Sequence, residues 1–316
     1  MSSDQVCILA VSGGVDSVSL LNMLVGSHRD LNKNLQFTTS NFQLVVAHFD
    51  HGIRKESGDD AQFVSDLAAQ HGLPFELGHA NLGMDTSEED ARVARYNFLR
   101  QCCDKYNTTF VITAHHQDDL VETALINLIR GTSWRGLASL ELNSRVFGIN
   151  ILRPMLNISK KEILEYAHKY DIKWVEDDTN LNLDYLRNYV RRRLIPQALV
   201  GDPLFTEKLT DLIVSTQSNK SAIDHELKTI APQPVFSEDT STYELLRYDF
   251  IMWPEGVSRE VIYYLLTQLD SSWHPTKLQI MRGLHFIKSG FAGKELQISG
   301  RLTIVLKTRT VQFKTD

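Results

Sequence analysis

An α/β fold with a parallel sheet, followed by a second, smaller α+β domain, is what the 316-residue sequence predicts. Three observations carry this expectation. Across residues 6–130, short apolar runs alternate with segments of helical spacing, the pattern of successive βαβ units. Three polar strings, SGGVDS, HFDHG and AHHQDD, each follow directly on a predicted strand. After Val235 the order gives way to mixed strand-like and helical pieces.

Val6–Val11 is a short apolar run that ends at glycines, and Val15–Val25 has helical spacing. Phe42–Phe49, FQLVVAHF, reads as a second strand. Gly58–His71 follows as an amphipathic helix closed by Gly72. LPFELGHA gives a third strand, and Ser87–Tyr106 a helix with Thr86 or Ser87 as its cap and acids in its first turn. Thr109–Thr113, TFVIT, is a fourth strand, and a long helix runs from about Gln117 to Arg130. Beyond Pro154, SKKEILEYAHKY is a helix opened by Ser159, with Glu162 three residues later completing a capping box. Residues 203–230 read as helical, and LQISGRLTIVLKTRTVQFK as a hairpin or meander. The expected organisation is a first domain over 1–202, a helical linker over 203–234 and a small domain over 235–316.

Composition narrows the function classes. No run of eighteen apolar residues predicts a membrane span. The opening MSSDQVCILAV lacks a basic segment before its apolar run and reads as a core strand, not a leader. Three cysteines, Cys7, Cys102 and Cys103, form neither a disulfide framework nor a CxxC pair, which suits a reducing, cytoplasmic setting. The net charge of −6 argues weakly against nucleic acid, but its distribution is uneven. Residues 187–193, RNYVRRR, hold four arginines and no acid, and residues 294–314 hold five basic residues against Glu295 alone. These patches leave nucleic acid open as a partner.

In an open parallel sheet, ligands sit at the carboxyl ends of the strands, so the three polar strings mark one edge as the site. Ser12, Gly13, Gly14 and Val15 lead a strand into a helix near Asp16 and Ser17, offering backbone amides and a positive helix end to an anion. No lysine follows where a phosphate-binding P-loop carries one. A carboxylate beside phosphates is repulsive unless a cation intervenes, so Asp16 suits a Mg²⁺ ion that bridges phosphate oxygens; a plain helix cap is the structural alternative. His115, Asp119 and Glu122 fall at i, i+4 and i+7, one face of a helix, apart from the apolar stripe of Val121, Leu125, Leu128 and Ile129. HHxDD is not an established zinc spacing, and carboxylates holding Mg²⁺ or a substrate ammonium fit better. Arg92 and Arg95 lie in EDARVARYNFL, where a planar guanidinium could take phosphate or pair on a surface helix. RNYVRRR could be solvated, could pair with Glu176, Asp177 and Asp178, or could contact RNA.

SGGVDS after a strand resembles the PP-loop of the N-type ATP pyrophosphatases, which cleave ATP between its α- and β-phosphates and adenylate a substrate. HFDHGIR, ARVARYNFL, TAHHQDDLVET, LIRGTSWRGL, RPML and WVEDDTNLNLDYLRNYVRRRLIP resemble the tRNA(Ile)-lysidine synthetases, in that family's order and across residues 6–197. The resemblance implies a PP-loop ATP-binding catalytic domain over 1–202 and probable tRNA contact by 235–316. It implies that the wobble cytidine of a CAU-anticodon tRNA(Ile) is adenylated by ATP and then attacked by free L-lysine, releasing AMP and forming lysidine. Carried onto this sequence, Ser12, Gly13, Gly14, Val15, Asp16 and Ser17 would bind ATP, with Asp16 on Mg²⁺. His115, Asp119 and Glu122 would receive lysine, and Arg95 would contact phosphate. Arg187 and Asn188 would act near ATP or the target nucleotide, and Arg191, Arg192 and Arg193 would touch tRNA. A homodimer is compatible with the resemblance, and no membrane partner is expected. Leu120 stands where the family often carries glutamine. The rivals are a PP-loop tRNA thiolase, which needs reactive cysteines, another adenylating synthetase, and a non-catalytic nucleotide sensor.

Overall fold

The computed structural model describes residues 5–26, 42–50, 52, 57–80, 88–131, 134–176, 186–230, 235–237, 240–270, 273 and 275–315. The chain divides into two compact units, Met1–Ile126 with Ser139–Asp211, and Asn127–Ala138 with Leu212–Asp316. The sequence reading placed residues 127–138 in the first domain. Their grouping with the second unit follows from side-chain anchoring that spacing does not reveal.

The first unit runs β1 (Gln5–Ala10), α1 (Val15–Val25), β2 (Phe42–Asp50), α2 (Ser57–Gln70), β3 (Phe75–His79), α3 (Glu88–Lys105) and β4 (Phe110–Ile112). Helix α4 (Gln117–Ile129) and the short α5 (Trp134–Leu137) follow, then β5 (Asn143–Val146), β6 (Ile149–Leu152), α6 (Lys160–Lys169) and α7 (Leu186–Tyr189). A π-helical turn over Val190–Leu194 connects α7 to α8 (Ile195–Gly201). The helix expected from 203 is α9 (Phe205–Ile230). The sheet order is β3-β2-β1-β4-β6-β5, with every pair parallel except β5–β6.

Side-chain alternation explains why the central strands are apolar on both faces. Leu9 and Val46 face a core built with Val18, Leu21, Val64 and Ile163. Their neighbours Ile8 and Val45 face the opposite core, with Tyr96, Leu99 and Ile151. β1 and β2 at the centre of the sheet are thus buried on both faces, as helices covering a parallel sheet require.

Ser159 caps α6 as expected: its hydroxyl accepts from the Glu162 amide, and the Glu162 carboxylate accepts from the Ser159 amide. The β5–β6 hairpin was not foreseen. Its two turn residues, Phe147 (φ 49°) and Gly148 (φ 83°), both adopt positive φ, the geometry of a type I′ turn. Phenylalanine is unfavoured there and so gives no turn signal. Its ring lies 5.4 Å from that of Tyr96, a contact that holds the turn.

The second unit contains β7 (Val235–Ser237), β8 (Thr240–Leu246), α10 (Arg247–Met252), α11 (Glu255–Leu269), α12 (Lys277–Ser289), β9 (Glu295–Ser299), β10 (Leu302–Leu306) and β11 (Thr310–Thr315). Its antiparallel sheet has the order β7-β8-β11-β10-β9, and β9–β11 form the expected meander. Phe250, Val261, Leu265, Ile304 and Phe313 are fully buried in its core. Arg247 donates to the Ile287 and Gly290 carbonyls at 2.9 and 2.6 Å, satisfying the end of α12.

Within this unit α5 is pinned by Arg135, which is 4% exposed. Its Nε donates to Glu260 Oε2 at 2.7 Å, and its Nη2 lies 2.8 Å from Asp224 Oδ1. The guanidinium sits 4.7 Å from the Trp134 ring and 4.6 Å from that of Tyr263, while Trp134 Nε1 donates to Glu260. The WRGL string therefore anchors its segment through one buried cation with two acidic partners.

Candidate active site

The sheet order makes the location of the site a consequence of topology. The chain steps outward from β1 to β2 and β3, then returns to place β4 on the other side of β1. The loops after β1 and β4 therefore diverge around a crevice at the carboxyl ends of the strands, the switch point where ligands bind in open α/β sheets.

The loop after β1 is a tight cradle. Gly13 has φ +94°, a conformation other residues rarely adopt, and its carbonyl accepts from the Val175 amide at 3.0 Å. Gly14 precedes α1 with no side-chain cap. The α1 terminus is thus left with unsatisfied amides that suit an anion. The two serines do a different job from the one their type suggests. Ser17 is buried, donates to the Gly14 carbonyl at 3.0 Å and accepts the Ser12 amide at 3.1 Å. Its hydroxyl braces the loop, and Ser12 Oγ lies 3.2 Å from it. Val15 is buried in the core beneath the turn.

His48, at the end of β2, is buried with Nδ1 2.9 Å from the Val11 carbonyl, so it packs the strand end that feeds the loop. Asp50 accepts from the Gly52 amide at 2.7 Å and pairs with His79 Nδ1 at 3.0 Å. His51 lies outside the described residues.

The strings after β1 and β4 meet. Asp16 Oδ2 is 3.7 Å from His116 Nε2, which is itself 3.5 Å from Asp119 Oδ2. The His116 amide donates to Asp119 Oδ2 at 3.0 Å, tying the entry of α4 to its own carboxylate. Asp16 also receives Lys160 Nζ at 2.5 Å from the start of α6, a partner that the sequence reading did not include. Leu120 is buried, so the departure from the family's glutamine packs inward. Val121 and Leu125 share that buried side, whereas Leu128 and Ile129, expected to continue the stripe, are exposed.

Asp119 and Glu122 are both buried, and each is matched by cations from the RNYVRRR string. Arg187 donates from Nη2 to Asp119 Oδ1 at 2.7 Å and from Nε to Glu122 Oε2 at 3.0 Å. Arg191 donates from Nε to Glu122 Oε1 at 2.5 Å and from Nη2 to Oε2 at 3.0 Å, a bidentate fork. Arg187 and the half-exposed Arg191 therefore reach the acidic pair, while Arg192 and Arg193 are exposed. Asn188 stands beside Arg187 on α7. Residues 177–185, including Asp177 and Asp178, lie outside the described residues.

Adjacent histidines are driven in opposite directions. Burial pulls His116 down, but Asp118, Asp16 and Asp119 outweigh it and its pKa is pushed up to about 9. Its Nδ1 stands 3.6 Å from Asp118 Oδ1, too far for a hydrogen bond, so the attraction there is coulombic. His115 is held well below the usual histidine range by burial and by Arg153, Arg95 and Arg187, against the opposing pull of Asp119. Its Nδ1 is 2.8 Å from Thr113 Oγ1. Burial would raise Asp16, but His116 and Lys160 hold it below the carboxylate range. Asp119 is kept low in the same way by His116 and Arg187. At neutral pH the crevice thus carries ionised carboxylates, cationic His116 and neutral His115. Arg95 lies with its guanidinium 5.6 Å from the Tyr96 ring on α3 and contributes to the field at His115.

Among the described residues no group of three His, Cys, Asp or Glu side chains is arranged to hold a metal by itself. Asp16 alone fits the usual manner of Mg²⁺ in nucleotide sites, where one or two carboxylates share the ion with substrate phosphates. All three cysteines are buried, and burial pushes their thiols up, to about 11 for Cys7 and Cys102 and about 12 for Cys103. Among the described residues no helix is long and apolar enough to cross a membrane.

Comparison with known proteins gives a concordant picture. A family model described as a PP-loop domain matches residues 2–198. The tRNA(Ile)-lysidine synthase of Thermotoga maritima is 32% identical over 235 residues, covering 72% of this chain and 54% of that protein. The enzyme of the same name from Wolbachia pipientis wMel is 30% identical over 272 residues, covering 85% and 61%. That from Anaplasma marginale is 38% identical over 186 residues, covering 58% and 38%. The chain thus spans only part of the length of the curated relatives it matches. Among solved structures, the U34-tRNA thiolase NcsA from Methanococcus maripaludis, with its 4Fe-4S cluster, aligns with a TM-score of 0.54 at 16% identity. That alignment covers 68% of this chain and 72% of the other, a likeness of fold.

Proposed function

Because the chain belongs to the PP-loop domain family, we propose that it is an ATP-dependent carbon–nitrogen ligase that joins L-lysine to C2 of the wobble cytidine of a CAU-anticodon tRNA(Ile). One observation carries the reading: a glycine cradle with a single ionised aspartate faces, across the switch point, a buried pair of carboxylates already serving as a cation site. A site for adenylation alone has no use for that second acidic pair. Ligation of an amine that arrives as an ammonium does.

ATP would lie with its phosphates over Gly13, Gly14 and the α1 terminus. Mg²⁺, held through Asp16, would neutralise charge on the phosphate oxygens. The cytidine C2 oxygen attacks the α-phosphorus, the bond to the bridging oxygen breaks, and its electron pair leaves with pyrophosphate. The ε-ammonium of lysine would give up one proton to solvent, the resulting amine would attack C2, and the C2–O bond would break with its electron pair leaving on AMP. Asp119 and Glu122 would hold the ammonium, displacing the half-exposed Arg191 from its fork. Neutral His115 suits this pocket, since an imidazolium would repel the incoming cation. Arg95, Arg187 and Asn188 would be partners for the adenylate, and the exposed Arg192 and Arg193 would meet tRNA phosphates. In the second unit the exposed Lys294, Arg301, Lys307 and Arg309 form a candidate tRNA surface.

A thiolase is disfavoured by the buried, high-pKa cysteines, because the thiolate is the nucleophile and metal ligand. The direct test incubates a CAU-anticodon tRNA(Ile) transcript with ATP, Mg²⁺ and lysine, digests the product and weighs the wobble nucleoside. A lysine adduct that requires ATP is expected. Unmodified cytidine with pyrophosphate release independent of lysine would transfer the assignment to another nucleophile. For Glu122→Gln, the lysine requirement should rise about a hundredfold while the ATP requirement changes by about threefold or less, as removal of a buried charged partner implies. Equal effects on both would sink the lysine pocket.

A further inference from the structure

The glycine loop lacks the lysine that a P-loop places on the β- and γ-phosphates, yet a lysine reaches the same point from 144 residues further along the chain. Lys160 opens α6. Its Nζ lies 2.5 Å from Asp16 Oδ1, and its backbone amide donates to Asp118 Oδ1 at 3.0 Å. The helix behind it is fixed by the Ser159–Glu162 capping box and by Tyr166, whose hydroxyl donates to Asn22 of α1 at 2.8 Å. Backbone and helix are therefore held against α1, while the ammonium stands at the α1 terminus, with its side chain 35% exposed toward the crevice. Asp16 does not depend on Lys160 alone, since His116 Nε2 stands 3.7 Å from its other oxygen. When a divalent ion takes that carboxylate, the ammonium is released within reach of whatever lies on the cradle.

We propose that Lys160 is the phosphate-binding lysine of this loop, contacting the pyrophosphate portion of ATP and the pyrophosphate that departs from it. The inference rests on the adenylation reading above and adds to it a residue that neither the glycine motif nor its spacing contains. As the bond between the α-phosphorus and the bridging oxygen breaks, negative charge accumulates on the leaving group. An ammonium N–H donated to those oxygens stabilises the charge without any proton transfer. The chain thereby divides between two elements a task that a P-loop concentrates in one: the carboxylate holds the ion from α1, and the lysine approaches from α6.

The test uses inorganic pyrophosphate and ATP as probes, with affinities measured by calorimetry in Mg²⁺ and release of pyrophosphate measured during turnover. Lys160→Gln should weaken pyrophosphate binding at least tenfold and slow pyrophosphate release about a hundredfold. Lys160→Arg, which keeps the charge, should recover much of the binding. If Lys160 is only a counter-ion for Asp16, Lys160→Gln will leave affinity and release at wild-type values, which overturns the proposal. Failure of the wild-type protein to bind either probe would be a different result, removing the adenylation reading itself.

Discussion

Asp16→Asn is expected to cut pyrophosphate release about a thousandfold while leaving the fold intact by circular dichroism. The physical reason is the isolation of this carboxylate. Among the described residues no other cluster can hold a metal, so the ion would depend on Asp16 and on the substrate's own phosphates. An amide keeps the shape of the side chain but loses the charge, and loss of one electrostatic stabiliser in an acyl- or phosphoryl-transfer site costs on the order of 10²–10³-fold. The free protein should tolerate the change, because Lys160 and the Asp16 side chain are each about one-third exposed and water can replace the lost pair. Activity near the wild-type level, with Mg²⁺ still required, would show that another group holds the ion.

Arg135→Ala is expected to destabilise the second unit by about 3 kcal/mol, because it leaves Glu260 and Asp224 facing each other without the buried guanidinium between them. In a unit of this size such a loss should lower the melting temperature by on the order of 10 °C. Arg135→Lys should recover only part of it, since an ammonium cannot span both carboxylates or lie between the Trp134 and Tyr263 rings as a planar fork does. Unfolding followed by tryptophan emission, with Trp134 and Trp253 as reporters in this unit, is the measurement. A midpoint unchanged in both variants would mean that neither the ion pairs nor the ring contacts of Arg135 stabilise this unit.

What the sequence reveals and what it hides divide along a physical line. Short apolar runs, helical spacing and the Ser159–Glu162 box are local, and β1 to β4, α1 to α4 and α6 follow from them within a residue or two at most ends. The convergence of SGGVDS with AHHQDD was also readable, since parallel strands send their loops to one edge. Lys160 was not. It is one of two adjacent lysines at a helix start, a pattern that reads as a solvated face, and only the packing of α6 on α1 brings it to Asp16. RNYVRRR illustrates the same limit. Four arginines suggest a nucleic-acid contact, but the helical phase through the π-turn aims Arg187 and Arg191 at Glu122 and leaves the outward role to Arg192 and Arg193. The β5–β6 hairpin escaped because Phe147 occupies a turn position that asparagine or glycine usually marks.

The anchoring of WRGL also sets a timetable for the nascent chain. Arg135 and its partner Glu260 are separated by 125 residues. At about 5–20 residues added per second, roughly 6–25 s pass between their syntheses. During that interval the strands and helices of the first unit up to α8 can already be made, while Trp134 and Arg135 have no Glu260 or Tyr263 to receive them. An indole and a guanidinium destined for burial are therefore exposed on the ribosome for many times longer than a helix needs to form. A fragment cut at residue 202 would keep them in that condition permanently, so a shortened version of the first unit should be built with residues 127–138 replaced by a polar linker.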